Sequence, residues 1–77
     1  MDTAHAIQRN RNINSAKVIH RMLAKKGIHC EEYGPFLLAG EKVLLCTSKG
    51  ALLLTQGDFT PATNPQHIED HMRSSST

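Results

Sequence analysis

Two histidines near the C-terminus have the spacing of a metal-binding pair. His67 and His71 are four positions apart, so on a helix both imidazoles project from one face and can reach one ion. Cys30 and Cys46 would complete a Cys₂His₂ set. Structural zinc sites, however, usually pair cysteines two to four positions apart, and these two are sixteen apart. We therefore expect no metal site and no cofactor, with both cysteines serving as small apolar residues on strands and both histidines on a polar surface.

Histidines beside carboxylates suggest acid/base chemistry as a second possibility. His20 or His29 next to Glu31 or Glu32 would be candidates for proton transfer in nucleic-acid cleavage. The sequence contains no recognisable nucleophile–base pair, glycine-rich phosphate loop or carboxylate cluster, and His29 and Glu31 also fit as plain surface neighbours on a strand. We therefore do not expect an enzyme, and a small ribonuclease-like activity ranks third among the functions considered.

A row of cations is the pattern that indicates a partner. Lys17, Arg21 and Lys25 lie at positions i, i+4 and i+8, about 6 Å apart along a helix, which is comparable with the phosphate spacing of a nucleic-acid strand. Residues 1–27 are net +5, whereas residues 28–77 are net −3. We expect nucleic acid or an acidic protein surface to bind six cations: Arg9, Arg11, Lys17, Arg21, Lys25 and Lys26. The alternative is an ordinary solvated helix face.

The helix that must carry this row is predicted to begin at Asn14 or Ser15 and to stop at Gly27. Its apolar positions define the face expected to be buried, which comprises Val18, Ile19, Met22 and Leu23. Residues 1–13 are expected to form either a mobile basic arm or a short helix, because the stretch around Arg9 and Arg11 has little to bury.

Short apolar runs separated by turn residues follow, and they predict strands. The runs cover residues 28–33, 35–39, 43–47 and 51–55, whereas residues 58–63 contain Pro61 and suggest a loop. Asn64 before Pro65 predicts a short helix over residues 65–72. The fold class is therefore α+β, with an N-terminal amphipathic helix, a three- to four-stranded antiparallel meander and a short C-terminal helix, forming one domain over residues 14–73. Residues 74–77 are expected to be a disordered tail.

The strands are apolar at consecutive positions, so both faces of the sheet should present large side chains. Two helices cover one face of a small sheet but not two. We therefore expect a homodimer with Leu44, Leu53 and Leu54 at its interface. The alternative is that the N-terminal arm and the loop of residues 58–63 cover the second face within one chain.

Length and composition set the class of protein. The chain has 77 residues, two cysteines and no apolar stretch typical of a signal peptide or membrane span, so we expect a single cytoplasmic domain that does not bind membranes. The leading hypothesis is a small non-enzymatic binding protein that presents its basic helix to nucleic acid or a nucleoprotein complex. The runner-up is a phage- or plasmid-type accessory regulator or inhibitor that binds a host protein. No small-molecule substrate is evident.

Overall fold

Two helices pack on one side of a five-stranded antiparallel sheet. A computed structural model describes residues 3–73, with elements α1 (Thr3–Lys25), β1 (Glu31–Tyr33), β2 (Phe36–Ala39), β3 (Lys42–Thr47), β4 (Gly50–Thr55), β5 (Asp58–Pro61) and α2 (Pro65–Arg73). The strands form a meander in the order β1-β2-β3-β4-β5, each antiparallel to the next. The predicted α+β class is confirmed, with five strands rather than three or four. The predicted tail, residues 74–77, lies outside the described residues.

The first helix is longer than predicted and runs without a break from Thr3. The expected start at Asn14 or Ser15 is wrong, because these polar residues do not cap the helix. Ser15 Oγ donates a hydrogen bond to the Thr47 carbonyl at 3.0 Å, and Asn14 is exposed. One turn earlier, Asn12 Oδ1 accepts a bond from the Ser48 backbone N–H at 3.1 Å. Two polar side chains in the middle of α1 therefore anchor it to the end of β3 and the turn that follows.

The helix ends at Gly27, as predicted. Gly27 has φ of 80°, its N–H donates to the Ala24 carbonyl at 3.0 Å, and the Ile28 N–H donates to the Leu23 carbonyl at 2.9 Å. This pair of bonds is the Schellman motif, in which a left-handed residue satisfies the last carbonyls of a helix. Ile28 and Leu23 are both buried, which adds the apolar contact that accompanies the motif.

The buried face of α1 differs from the predicted one at Val18, which is 63% exposed. Leu23 is fully buried and Ile19 and Met22 pack against the core, as expected, but Ala16 takes the remaining core position. Ala16 and Val18 are about 200° apart around the helix, so they point to nearly opposite sides. Because Ala16 faces the core, helix geometry turns Val18 to solvent.

Alternation along the strands assigns the side chains to two faces. Leu37, Leu44 and Leu53 pair directly across β2, β3 and β4, and all three are buried beneath the helices. We call this side the helix-covered face and the opposite side the open face. The expected dimer interface is corrected accordingly: Leu44 and Leu53 belong to the core of a single chain, and only Leu54 lies on the open face.

The segment predicted as a loop after Gly57 is a strand. β5 pairs with β4 through a two-residue turn in which Gln56 and Gly57 have φ of 50° and 86°. Positive φ at both central positions is the type I′ arrangement that matches the twist of a hairpin. Pro61 closes the strand at the sheet edge, where a missing N–H removes no ladder bond.

The C-terminal helix agrees with its prediction. Asn64 Oδ1 accepts a hydrogen bond from the His67 N–H at 2.9 Å, and Pro65 occupies the first helical position. Ile68 and Met72, one turn apart, bury the apolar side of α2 against the sheet. Neither helix between residues 3 and 73 has the length and apolarity to cross a bilayer.

Candidate nucleic-acid interface

Three of the predicted binding residues form a continuous row on the outer side of α1. Lys17, Arg21 and Lys25 are all exposed, and successive members are displaced by about 40° around the helix. We call this row the basic ridge. It lies opposite the buried positions Ala16 and Leu23, so the ridge faces away from the sheet.

The ridge carries charge of one sign only. α1 contains five Lys or Arg residues and no Asp or Glu. Among the side chains of residues 6–73, the ion pairs are His20 with Glu32 and Arg73 with Glu69, so no carboxylate of this range is paired with a ridge cation. The positive potential of the ridge is therefore available to a partner.

The other three predicted cations are exposed but lie in different directions. Arg9 and Arg11 are two residues apart and point about 160° from one another around the helix, so only Arg11 borders the side of the ridge. Lys26 follows the helix end and lines a separate depression of about 380 Å³ beside Gly27 and His29. The structure thus brings together Lys17, Arg21 and Lys25, with Arg11 as an extension, and separates Arg9 and Lys26 from them.

A shallow groove runs alongside the ridge. Its volume is about 360 Å³, and it is lined by Lys17, His20, Arg21, Ala24 and Glu32. His20 Nδ1 and Glu32 Oε1 are 2.7 Å apart, and their side chains are 33% and 28% exposed. Of the histidine–glutamate combinations considered from the sequence, the structure forms this one. Lys17 and Arg21 stand beside this pair, so the groove has the cationic hydrogen-bond donors to hold an anion.

The His20–Glu32 contact that lines the groove also holds α1 in position. Glu32 lies on the helix-covered face of β1, opposite Leu37 of β2, and its bond to His20 ties the helix to the edge strand. This contact places a carboxylate next to the ridge but holds it against an imidazole. The two ridge cations in the groove thus keep their hydrogen-bond donors free for ligand oxygens.

The cysteines and C-terminal histidines do not form a common site. Cys46 is completely buried in β3, and burial, with smaller contributions from Cys30 and Glu32, raises its pKa to about 12. Such a thiol stays protonated at neutral pH, so it is a poor nucleophile. Burial also raises the pKa of the half-buried Cys30.

The two histidines of α2 have local roles. His67 Nδ1 accepts a bond from the Thr63 N–H at 3.2 Å. Burial lowers the pKa of His71, an effect that a hydrogen bond with the Val43 backbone opposes. Over the described part of the chain, no cluster of three or more His, Cys, Asp or Glu side chains is suited to hold a metal ion.

Sequence reasoning predicted a second apolar face of the sheet but missed that this open face carries the aromatic residues. Tyr33, Phe36 and Phe59, the three aromatic residues of the chain, all project from it, and they are 56%, 37% and 42% exposed. The rings of Phe36 and Phe59 lie 6.5 Å apart. The signal was present in the alternation of residues along each strand, but only the strand register shows that the three rings share a side.

The basic ridge, its groove and the open face are defined by the sequence and fold of this chain alone. No family model, no curated protein and no solved structure matches the chain.

Proposed function

We propose that this protein is a small non-enzymatic binding module whose basic ridge contacts the phosphate backbone of nucleic acid, alone or in a nucleoprotein complex. The observation that carries the proposal is the row of Lys17, Arg21 and Lys25, exposed on one side of α1 without a carboxylate partner among residues 6–73.

The charge pattern of α1 is unfavourable for a helix that only needs to be solvated. Like charges four residues apart, as in Lys17/Arg21 and Arg21/Lys25, destabilise a helix by about 0.2–0.5 kcal/mol per pair. Solvated helix faces commonly alternate acidic and basic residues, and each pair of opposite charges four residues apart stabilises the helix by a similar amount. The chain has seven acidic residues, yet none lies on α1. A polyanionic partner would offset this cost by neutralising the ridge.

The shape of α1 fits an extended polyanion better than a small anion. The three ridge cations span about 12 Å of helix, and Arg11 extends the positive side further toward the N-terminus. A helix of this kind has a diameter of about 10–12 Å, which the major groove of a duplex, about 12 Å wide, can accept. Asn10 and Asn14 are exposed on the same outer side and add hydrogen-bonding groups beside the cations.

The remainder of the chain favours one orientation on nucleic acid. Residues 28–77 are net −3, so phosphates repel that half and attract α1. The protein would therefore dock helix first, with the sheet directed away from the nucleic acid. We place this activity in the cytoplasm, where two buried or half-buried thiols would remain reduced.

A capture experiment with and without nuclease tests the proposal. The tagged protein is bound to resin and incubated with native lysate, and one half of the sample is treated with nuclease. We expect nucleic acid to be recovered from the untreated sample and lost after treatment, with bare resin as the control. Recovery of a protein partner that survives nuclease, with no nucleic acid retained, would contradict the proposal and favour a regulator or inhibitor of a host protein.

A further inference from the structure

The open face of the sheet is a second surface that the proposed function does not use. We propose that a second copy of the chain packs against it, forming a homodimer in which the two sheets lie face to face and the two α1 helices point outward. The contact residues are those on the open face rather than Leu44 and Leu53.

The open face is almost entirely apolar. Glu31, at one edge, is the single charged residue that the strands place there. The remaining large side chains are aromatic or aliphatic: Tyr33, Phe36, Leu38, Val43, Leu45, Leu52, Leu54, Phe59 and Pro61. A contiguous patch of this character on a soluble domain marks an interaction surface.

Two of the aromatic rings meet above the middle strands of this patch. Phe36 is on β2 and Phe59 on β5, three strand spacings apart, which is about 14 Å on a flat sheet. Their ring centroids are nevertheless 6.5 Å apart, so the sheet curls and the rings lean toward each other above β3 and β4. Leu45 and Leu52 beneath them are half-buried, whereas both rings remain about 40% exposed. Protruding, rigid aromatic side chains of this kind are typical anchors of protein interfaces.

The segments that might have covered this face within one chain lie elsewhere. Residues 3–13 belong to α1, which packs on the helix-covered face through Ala16 and Leu23 and is tied to the Ser48 turn by Asn12. Residues 58–61 form β5 in the sheet itself. The described chain offers no further segment for the open face.

A second copy of the chain suits both the low charge and the size of the open face. An isologous contact brings each residue near its own symmetry mate, so a patch with hardly any charge can pair with itself, whereas two basic ridges would repel. Five strands of three to six residues give a footprint of about 360 Å² per chain when the sheet is treated as flat. Two copies would bury about 700 Å² on this basis, and the relief of the leucine and phenylalanine side chains raises the area toward the roughly 1,000 Å² expected of a specific dimer.

Light scattering during size-exclusion chromatography tests the assembly. We expect wild type at about 100 µM to have twice the 8.5 kDa chain mass. Phe59→Glu, at the sheet edge, is expected to raise the dimer dissociation constant at least 100-fold and to leave the far-UV circular dichroism unchanged. Val18→Glu introduces the same charge at a 63% exposed position on α1 and serves as the matched control that stays dimeric.

Two results would overturn the dimer. One is a wild-type monomer at every accessible concentration. The other is a folded Phe59→Glu variant that still dimerises. Should Phe59→Glu unfold, Tyr33→Glu decides, because Tyr33 is 56% exposed on the opposite edge strand and its replacement leaves the core intact. A folded Tyr33→Glu monomer supports the interface, and a folded dimer contradicts it. The oligomeric state of these variants is independent of nucleic-acid binding, because the basic ridge lies on the other side of the molecule.

Discussion

Replacing Lys17, Arg21 and Lys25 together by glutamate is expected to abolish nucleic-acid binding while leaving the fold intact. At about 0.1 M salt, one phosphate contact contributes roughly tenfold to affinity, so loss of three contacts should weaken binding by 100-fold or more. The change also takes the formal net charge from +2 to −4, which adds repulsion. Fluorescence anisotropy with a labelled oligonucleotide measures the affinity, and circular dichroism monitors the fold.

A single-residue comparison controls for net charge. Arg21→Glu and Lys49→Glu alter the net charge equally, but Lys49 is exposed in the turn between β3 and β4, away from the ridge. We expect about tenfold weaker binding for Arg21→Glu and a change of less than about threefold for Lys49→Glu. Equal effects of the two substitutions would mean that only total charge matters, and the ridge would then be an ordinary solvated face.

The largest effect on stability is expected from Leu44→Ala. Leu44 is completely buried at the centre of the helix-covered face, where it pairs with Leu37 and Leu53. Truncating such a leucine lowers the free energy of unfolding by about 2–5 kcal/mol. Small domains have about 5–15 kcal/mol in total, so the variant should be close to unfolded at 37 °C. Urea denaturation at one fixed protein concentration measures the change.

Val18→Ala provides the comparison within α1. The sequence pattern places Val18 in the core, but the structure exposes 63% of it, so its truncation should change the free energy of unfolding by no more than about 0.5 kcal/mol. If Val18→Ala and Leu44→Ala were equally destabilising, the packing of α1 described above would be wrong.

Local signals predicted the ends of elements well. Gly27 and Asn64 were identified by residue type, and both act as expected because a left-handed residue and a side-chain acceptor are requirements of the backbone itself. The predicted start of α1 was wrong because of a tertiary contact. Ser15 is a typical cap residue, but its hydroxyl donates to the Thr47 carbonyl in β3 instead of capping a helix.

The assignment of the two sheet faces could not be obtained from composition. Leu53 and Leu54 are adjacent and chemically identical, yet one is in the core and the other on the open face. An alternating strand identifies its buried side, whereas a continuous apolar run does not. The pairing register of neighbouring strands shows which side chains share a face. It also shows that the three aromatic rings lie on one side of the sheet.

The candidate site was predicted in part. The spacing of Lys17, Arg21 and Lys25 was sufficient to predict the basic ridge, because any α-helix places residues four apart in one row. The separation of Arg9 from Arg11 follows from the same geometry once α1 is known to extend to Thr3. The His20–Glu32 contact joins residues on two different elements, so it depended on how α1 crosses β1.

The salt dependence of binding tests the central claim most directly. If the ridge neutralises three phosphates, the logarithm of the association constant for duplex DNA should fall with the logarithm of salt concentration with a slope of about −2.7 or steeper. The Lys17→Glu/Arg21→Glu/Lys25→Glu variant should lose most of that slope. A wild-type slope near zero, or one that the triple variant leaves unchanged, would show that the basic ridge does not bind a phosphate backbone.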